Sequence, residues 1–393
     1  MALANLRGIV ILIVLAFHSM LAYLDWIPAG SRFDSPPFNW RAFPIVDSHR
    51  FFGFDLICAW QDVYLMSLMF FLSGLFVWPS LVRKKDWTFL RDRVLRLGLP
   101  FAFGIAVVIP VAIYPVYRLT ATDPSIAAYW HSLLALPFWP NGPLWFLWQL
   151  LALNFIAAGV HFIAPNAIPA LGRWSAEADK NLARYFGVLL AASALAYVPL
   201  AIAFTPWTWS NSGLFAVQFC RPLLYAVYFF AGVGIGAAGI ERGLIAADGI
   251  LMRRWAYTLA AALVALFLWM GLTALTIHDG ASFGVEFAAD LSFVLACAAG
   301  CMFMIAVCLR FAAGYSRLLR YLSANAYGLY LVHYAFVVWL QYALLAAPLF
   351  AIVKAGVVFS GALFLSLATT FAVRRLPWGA RLIGTAPRAV ATS

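Results

Sequence analysis

The sequence predicts an all-α integral membrane protein, a bundle of about ten transmembrane helices. Of the 393 residues, 65% are hydrophobic and 10% are charged, and the mean hydropathy is +0.91. A soluble domain is nearer half apolar and a quarter charged. The apolar residues form continuous runs of roughly 20 residues rather than short alternating segments, which favours helices over membrane strands. The 34 Phe, 16 Trp and 16 Tyr residues suit lipid-facing surfaces and interfacial belts.

Ten apolar runs predict the membrane spans, and no composition shift divides residues 1–393, which are interpreted as one transmembrane domain. The runs are 7–26, 51–81, 97–117, 143–164, 185–205, 222–239, 255–277, 283–309, 321–346 and 350–373. The second is too long for one straight crossing and is expected to tilt, break or extend, with Asp55, Asp62 and Pro79 as candidate break points. The Trp-rich amphipathic stretch 124–140 is expected at the membrane interface.

Basic residues are unevenly distributed among the loops. If the spans alternate, twenty of the 26 Lys and Arg residues lie on the side of the N-terminus and six on the other. The positive-inside rule then places both termini in the cytoplasm. The first span has a weak basic start and no convincing small-residue cleavage site, so it is interpreted as a retained helix rather than a signal peptide.

Several partner and cofactor classes receive no support from the residue pattern. The net charge of +11 does not indicate nucleic acid, because the basic residues lie in short loops without a basic–aromatic module. No metal-ligand cluster is visible, and packing is the expected role of the cysteines Cys58, Cys220, Cys297, Cys301 and Cys308. The glycine run 232–236 indicates close helix packing rather than a phosphate loop. No role is assigned to His49, His131, His161 or His278.

Arg7 and His18 are candidate functional residues on the first span. Eleven residues at about 100° each make roughly three full turns, so the two side chains share one helix face. At about 1.5 Å rise per residue they lie roughly 16 Å apart, which puts His18 near the bilayer midplane if Arg7 marks the surface. An ionisable group at that depth predicts a functional site, with a packed, hydrogen-bonded histidine as the structural alternative.

The densest basic cluster leads into the third span. Arg83, Lys84 and Lys85 are interpreted as a positive-inside anchor. Arg91, Arg93 and Arg96 follow, and the last two share a helix face because they are three residues apart. Guanidinium forks match phosphate oxygens, so this face is predicted to bind a phosphate-rich ligand, with topology anchoring as the alternative.

Further ionisable groups lie within or near the spans: Asp55, Asp62, Glu286, Asp290 and His333. Such groups are expected to face the bundle interior or water. A carboxylate beside His18 would fix its tautomer and raise its basicity. Structural pairing is the alternative for each of them.

Five motifs occur in order along the chain. They are Leu6-Arg7-Gly8-Ile9-Val10 with His18, Phe70-Phe71-Leu72-Ser73-Gly74, Arg93-Val94-Leu95-Arg96 running to Pro100, Gly142-Pro143-Leu144-Trp145-Phe146-Leu147, and Tyr327-Gly328-Leu329-Tyr330-Leu331-Val332-His333. Together they resemble the acyltransferase-3 family of membrane acyltransferases. The long first outer loop and the second and fourth motifs look most like the branch that decorates periplasmic glucans, with succinyl groups among others. Relatives often carry an acidic residue shortly before the arginine, where this chain has Ala4-Asn5-Leu6.

The resemblance implies transfer of an acetyl or succinyl group from cytoplasmic acyl-CoA to a hydroxyl of an extracytoplasmic glycan. The protein would be a multi-pass protein of the bacterial inner membrane, in contact with the lipid bilayer and without a metal. His18 is then expected as general base beside Arg7, and Arg91, Arg93 and Arg96 as ligands of the CoA phosphates. Asp62, Glu286, Asp290 and His333 would support the acceptor side. Direct transfer and an acyl-histidine intermediate both stay open, as does a homo-oligomer.

A secondary transporter or a flippase for a polar or lipid-linked substrate is the main alternative, because ten spans and buried ionisable residues fit it as well. A proton-coupled carrier needs buried carboxylates, whereas a CoA-dependent enzyme needs both His18 and the Arg93–Arg96 cluster. The chain has no convincing internal repeat, which counts weakly against transport. An assembly subunit would have no use for the Arg7–His18 face.

Overall fold

Helices make up nearly all of the regular structure. The computed structural model describes residues 1–28, 31–210, 213–240, 243–246, 248–277, 281–376 and 379–383, so Arg242, His278 and Arg388 lie outside the described residues. The helices are α1 (Ala2–Met20), α2 (Phe52–Gly74), α3 (Val77–Lys84), α4 (Asp86–Thr120), α5 (Ile126–Ala135), α6 (Trp145–Ile163), α7 (Ala167–Ala176), α8 (Leu182–Phe204), α9 (Pro222–Ala238), α10 (Ile250–Arg253), α11 (Trp255–Thr276), α12 (Phe283–Phe311), α13 (Arg317–Ala343), α14 (Ala351–Arg374) and α15 (Gly379–Leu382). Over the described ranges the extended pairing is confined to two isolated bridges, Phe138 with Gly213 and Trp209 with Gln218.

A helix lies at each of the ten predicted spans. Eight of them, α1, α2 with α3, α4, α6, α8, α11, α12 and α14, are long and apolar enough to cross a membrane. The other two are α9, which has only 17 residues, and α13, whose 27 residues are less apolar. The chain is therefore an integral membrane protein, and the count of ten crossings and the cytoplasmic termini stay predictions.

The second predicted span is broken, as its length suggests. The break lies at Leu75 and Phe76, between α2 and α3. Pro79 is the third residue of α3, where a missing N–H costs nothing because no intrahelical acceptor exists there. Asp55 and Asp62 lie inside the uninterrupted α2, so the prediction of a break at either residue was wrong.

Glycines allow two helix pairs to approach closely. A Cβ added at Gly8 would lie 2.6 Å from the Leu319 carbonyl oxygen, so α1 meets the start of α13 backbone to backbone. Added Cβ atoms at Gly232 and Gly236 of α9 would lie 2.1 and 2.2 Å from carbonyl oxygens of Phe71 and Leu75. The expectation that this glycine run serves close packing is confirmed. The α1–α13 contact brings two of the sequence motifs together.

Three prolines interrupt α4, and two segments of it, Val94–Gly98 and Gly104–Val108, are π-helical. A proline has no N–H, so a carbonyl one turn earlier loses its backbone partner. The Arg96 oxygen, four residues before Pro100, accepts from Tyr327 Oη at 2.6 Å. The Ile105 oxygen, five residues before Pro110, accepts from Trp139 Nε1 at 2.8 Å.

The third proline follows the same pattern. The Val111 oxygen lies four residues before Pro115 and accepts from Trp339 Nε1 at 2.8 Å. Tyr327 and Trp339 are both on α13, so this helix binds α4 at two carbonyls that proline leaves without backbone donors. Membrane helices tolerate proline when neighbouring side chains satisfy the freed groups in this way.

Candidate active site

His18 lies on α1 where that helix packs against α13. Its Nδ1 is 2.8 Å from the carbonyl oxygen of Val14, one turn earlier on the same helix. A carbonyl oxygen only accepts hydrogen bonds, so Nδ1 carries the proton of the neutral ring and Nε2 keeps its lone pair. The backbone around the ring is fixed from α13, because Gln341 Nε2 donates to the His18 carbonyl oxygen at 2.9 Å.

His333 of α13 meets His18 directly. His333 Nε2 is 3.4 Å from His18 Nδ1, and the ring centroids are 5.1 Å apart. His333 Nδ1 is 2.8 Å from the Tyr330 carbonyl oxygen, which selects the same tautomer as in His18. The lone pair of His333 Nε2 therefore faces the Nδ1–H of His18, and His333 itself is buried.

This arrangement replaces the carboxylate that was expected beside His18. In the described part of the chain, no carboxylate lies within hydrogen-bonding distance of either ring. The Val14 carbonyl fixes the tautomer instead, and His333 offers a neutral acceptor to the proton on Nδ1. If His18 takes up a second proton at Nε2, both acceptors stabilise the resulting cation at Nδ1.

Aromatic and apolar side chains surround the two histidines. Phe17 and Tyr334 lie edge-on to the His18 ring, with centroids 5.3 and 5.6 Å away. A gap beside His333, too narrow for a water molecule, is lined by Ile11, Leu12, Leu15, Leu329 and Leu363. The pair therefore lies in an apolar interior between α1, α13 and α14.

Arg7 lies on the same face of α1, at the end nearer the N-terminus. Its guanidinium carbon is 4.3 Å from the centroid of the Phe76 ring, a cation–π distance. Phe76 belongs to the break between α2 and α3, so this break supplies the aromatic surface on which Arg7 rests. The Asn5 amide donates to carbonyl oxygens of Ala312 and Gly314 at 2.6 and 2.9 Å and fixes this end of α1.

Arg91, Arg93 and Arg96 lie in the first part of α4. The Arg93 guanidinium is 4.8 Å from the centroid of the Phe89 ring. The carboxylates of this segment have other partners, since Asp86 pairs with His161 at 2.8 Å and Asp92 with Lys84. Over the described ranges, neither Arg7 nor any of these three arginines makes an ion pair. Their guanidinium groups remain available to an anionic ligand.

Tyr327 links the arginine segment to the histidine pair. Its hydroxyl holds the carbonyl oxygen of Arg96, and one turn further along α13 the Tyr330 hydroxyl donates to the Pro143 carbonyl oxygen. Tyr330 in turn accepts from His333 through its own carbonyl. The motif 327–333 therefore connects three of the other sequence motifs, those at 93–96, at 142–147 and at His18.

The predicted acceptor-side carboxylates do not contact the histidine pair. Asp62 forms a bidentate ion pair with Arg221, with Oδ1 and Oδ2 at 3.1 and 2.6 Å from the guanidinium nitrogens. Asp290 is buried on α12, and Glu286 lies one turn earlier and is exposed. Asp55 accepts from the backbone N–H groups of Asp25 and Trp26. A role for these carboxylates in an acceptor site stays a prediction.

Two charged residues with buried partners are not among the site residues that the sequence predicts. Arg221 stands alone before an apolar span and is almost fully buried beneath its pair with Asp62. Lys354 lies inside the tenth predicted span and is fully buried, with Asp47 as its partner at 2.7 Å. A lysine within an apolar run predicts a buried ion pair, because a buried ammonium group needs a partner. This feature of the sequence could have identified Lys354. Within the described residues no His, Cys, Asp and Glu cluster is suited to a metal ion.

The comparison with known families agrees with this arrangement. The model of a family described as an acyltransferase domain, the acyltransferase-3 family, matches residues 2–375. No curated protein and no solved structure matches the chain. The matched range contains all five sequence motifs and every helix of the bundle through α14. The chain therefore belongs to the acyltransferase-3 family of membrane acyltransferases.

Proposed function

We propose that the protein moves an acyl group from cytoplasmic acyl-CoA to a hydroxyl of a glycan on the other side of the bacterial inner membrane. Family membership supports acyl transfer. The His18–His333 pair is the observation that supports the proposed mechanism, because it leaves a free lone pair on His18 Nε2. This nitrogen lies in an apolar interior, and His18 shares a helix face with Arg7. The proposed donor is acetyl-CoA or succinyl-CoA, and a periplasmic glucan is the acceptor that the sequence motifs favour.

The arginines without carboxylate partners support a donor site at the end of the bundle that carries Arg7. Coenzyme A carries several phosphate charges and cannot enter the hydrocarbon region, so its phosphates stay at the surface. Arg91, Arg93 and Arg96 are suited to hold them, because guanidinium groups bind phosphate oxygens in a forked geometry. The thin pantetheine arm then extends along α1 toward His18, over about 16 Å by helix rise.

In the proposed reaction the acceptor hydroxyl attacks the thioester carbonyl carbon. His18 Nε2 takes the hydroxyl proton as the new C–O bond forms, and the tetrahedral intermediate collapses with cleavage of the C–S bond. The proton then passes from His18 to the sulfur, so coenzyme A leaves as the thiol and the base is regenerated. His333 stabilises the transient imidazolium through its lone pair at His18 Nδ1. Direct transfer of this kind needs no protein nucleophile.

The donor half of the proposal is tested by binding. Calorimetry with purified protein in detergent should show that acetyl-CoA or succinyl-CoA binds to the wild type. The double variant Arg93→Ala/Arg96→Ala should bind at least a hundredfold more weakly, because two phosphate contacts are lost. The double variant Arg83→Ala/Lys85→Ala removes two charges from the same surface and should bind normally. If the well-folded wild type binds no acyl-CoA, the mechanism is wrong and a transporter becomes the better interpretation.

The catalytic half is tested with His18→Ala. Loss of a general base lowers a rate by roughly 10²- to 10⁴-fold, so transfer from acyl-CoA to acceptor should fall by that order. Binding of acyl-CoA should persist, because the phosphates are held by the arginines. A His18→Ala protein that transfers the acyl group at the normal rate would remove His18 from the role of base.

A further inference from the structure

A second polar cluster lies at the end of α1 opposite to Arg7. Lys354 of α14 and Asp47, in the loop after α1, are both fully buried, and Lys354 Nζ donates to Asp47 Oδ2 at 2.7 Å. His49 Nδ1 is 3.2 Å from Asp47 Oδ1, and the His49 side chain is 42% exposed. Of the three side chains, only that of His49 is accessible from outside the protein.

The cluster lies beyond His18, beside the ends of α1 and α13. The backbone N–H of Asp47 donates to the Ala22 carbonyl oxygen at 3.0 Å, and Ala22 is one turn after His18. Lys354 Nζ is also 3.4 Å from the Leu345 carbonyl oxygen, four residues after the Gln341 that holds the His18 backbone. Four residues correspond to about 6 Å along a helix, so the cluster contacts the chain about one turn beyond the His18 backbone.

The hydrogen bonds orient the His49 ring. A carboxylate oxygen only accepts, so the shorter contact of the ring, with Asp47 Oδ1, places the proton on Nδ1 and leaves the lone pair on Nε2. Lys354 Nζ lies 3.4 Å from the same Nδ1. The backbone N–H of His49 donates to the same oxygen at 2.8 Å, which fixes the residue from two sides. Lys354 supplies the cation that a buried carboxylate requires.

A purely structural purpose would not need the imidazole. The Lys354–Asp47 pair by itself joins α14 to the loop after α1, and the exposed part of His49 adds little to that contact. What the imidazole adds is one oriented hydrogen-bond acceptor, held rigidly at an accessible surface next to the site of chemistry. Hydroxyl groups are the partners that such an acceptor recognises.

We propose that His49, held by Asp47 and Lys354, binds the acceptor on the side of the membrane opposite to Arg7. His49 Nε2 accepts a hydrogen bond from a hydroxyl of a polyhydroxylated acceptor, a glycan, while the reacting hydroxyl lies at His18. This inference rests on the proposed function. His49 orients the acceptor, and the proton of the reacting hydroxyl still goes to His18.

The test measures kinetics with a glucose oligosaccharide of defined length as acceptor and succinyl-CoA or acetyl-CoA as donor. His49→Ala should raise the KM for the oligosaccharide at least tenfold and leave acyl-CoA affinity unchanged. His49→Gln should recover part of the affinity, because its amide oxygen also accepts a hydrogen bond. His131→Ala removes an exposed histidine of α5 and should match the wild type. An unchanged KM in His49→Ala would overturn the inference. If that variant fails to fold, His49→Phe keeps a ring without an acceptor, and an unchanged KM in His49→Phe would overturn the inference.

Direct binding separates this inference from the proposed function. If the wild type binds no acyl-CoA, the donor mechanism fails, but oligosaccharide binding to wild type and His49→Ala can still be compared by calorimetry. Binding that His49→Ala loses supports the site whatever the reaction. A wild type that neither modifies nor binds the oligosaccharide overturns the inference, even if acyl-CoA binds normally.

Discussion

At the scale of single residues, backbone carbonyls determine which nitrogen of each histidine carries the proton. Val14 and Tyr330 each present a carbonyl oxygen 2.8 Å from an Nδ1 atom, His18 in one case and His333 in the other. Each carbonyl comes from the same helix as its histidine, so the tautomer is fixed locally. The contact between the two rings then depends only on how closely α1 and α13 pack, which Gly8 permits.

The variant His333→Leu tests the importance of this contact. Leucine fills much of the space but offers no lone pair to His18 Nδ1–H, so the imidazolium formed during transfer loses one acceptor. Because a hydrogen bond to a charged group contributes about 1.5–3 kcal/mol, kcat should fall by roughly 10- to 100-fold. The matched control is Tyr334→Phe, which keeps the ring edge-on to His18 and should retain most activity.

The measurement for His333→Leu is steady-state transfer together with acyl-CoA binding. Affinity for acyl-CoA should equal that of the wild type, because the phosphates are held by the arginines and not by His333. An unchanged kcat would show that the Val14 carbonyl alone suffices to support His18. A variant that loses acyl-CoA binding instead would place His333 in the donor site.

The residues of the candidate site were predictable only where the signal is local. Arg7 and His18 could be predicted to share a face because an eleven-residue spacing is a property of one helix. The meeting of His18 with His333 spans 315 positions in the chain and depends on helix packing, which the sequence does not display. The pairs Asp62 with Arg221 and Asp47 with Lys354 are long-range for the same reason.

At the scale of helices, α4 is the element whose sequence departs most from a regular helix. Its three prolines remove backbone donors, and two π-helical segments shift the register of the remaining bonds. Aromatic donors from α13 and from the loop before α6 bind the freed carbonyls. The arginine segment is therefore positioned by contacts outside its own helix.

The variant Tyr327→Phe tests this positioning. Loss of the hydroxyl removes the hydrogen bond to the Arg96 carbonyl oxygen at an exposed position, and a typical hydrogen bond contributes about 0.5–1.5 kcal/mol of stability. We expect weaker acyl-CoA binding as the π-helical turn around Arg96 relaxes. Tyr321→Phe, which removes a hydroxyl from an exposed position of the same helix, is the matched control. Equal stability and equal affinity in Tyr327→Phe would show that Arg96 is held by α4 alone.

Helix positions were predicted well because each span is a continuous apolar run bounded by charges or prolines. The break at Leu75–Phe76 was predicted only in outline, from the length of the run. Its location depends on Gly74 and on contact with α9, where Phe229 and Val233 approach within 3.1 Å of an added Cβ. The π-helical segments could not be placed either, because they depend on donors from distant parts of the chain.

At the scale of the whole molecule, polar contacts gather at two opposite ends of the bundle. At one end, the Asn5 amide donates to carbonyl oxygens of the 312–314 turn, and the Tyr327 hydroxyl donates to the Arg96 carbonyl oxygen. The other holds Asp47 and Lys354, beyond His18 along α1. The intervening region is apolar, apart from the histidine pair and a few buried polar side chains. This division agrees with the proposed function, in which acyl-CoA and the glycan approach from opposite sides of the membrane.

Cysteine labelling tests which end faces the cytoplasm. All five native cysteines, which lie among the described residues, are buried, so background labelling should be low. A membrane-impermeant maleimide applied to intact cells should label Thr122→Cys, in the loop after α4, and not Ala313→Cys, in the turn after α12. Both positions are exposed, and Ala313→Cys should react after permeabilisation. Reaction of Ala313→Cys in intact cells would invert the topology.

The fixation of α4 by α13 determines which parts can move. Tyr327 and Trp339 are twelve residues apart on α13, and their side chains donate to two backbone carbonyl oxygens of α4. The two helices are therefore joined at two separate levels. The gap beside His333 is bounded by α13 on one side and by α1 and α14 on the others, and it is too narrow for water. In the proposed reaction, an acyl chain that enters this gap displaces α1 or α14 from the joined helices α4 and α13, and α1 carries His18 with it.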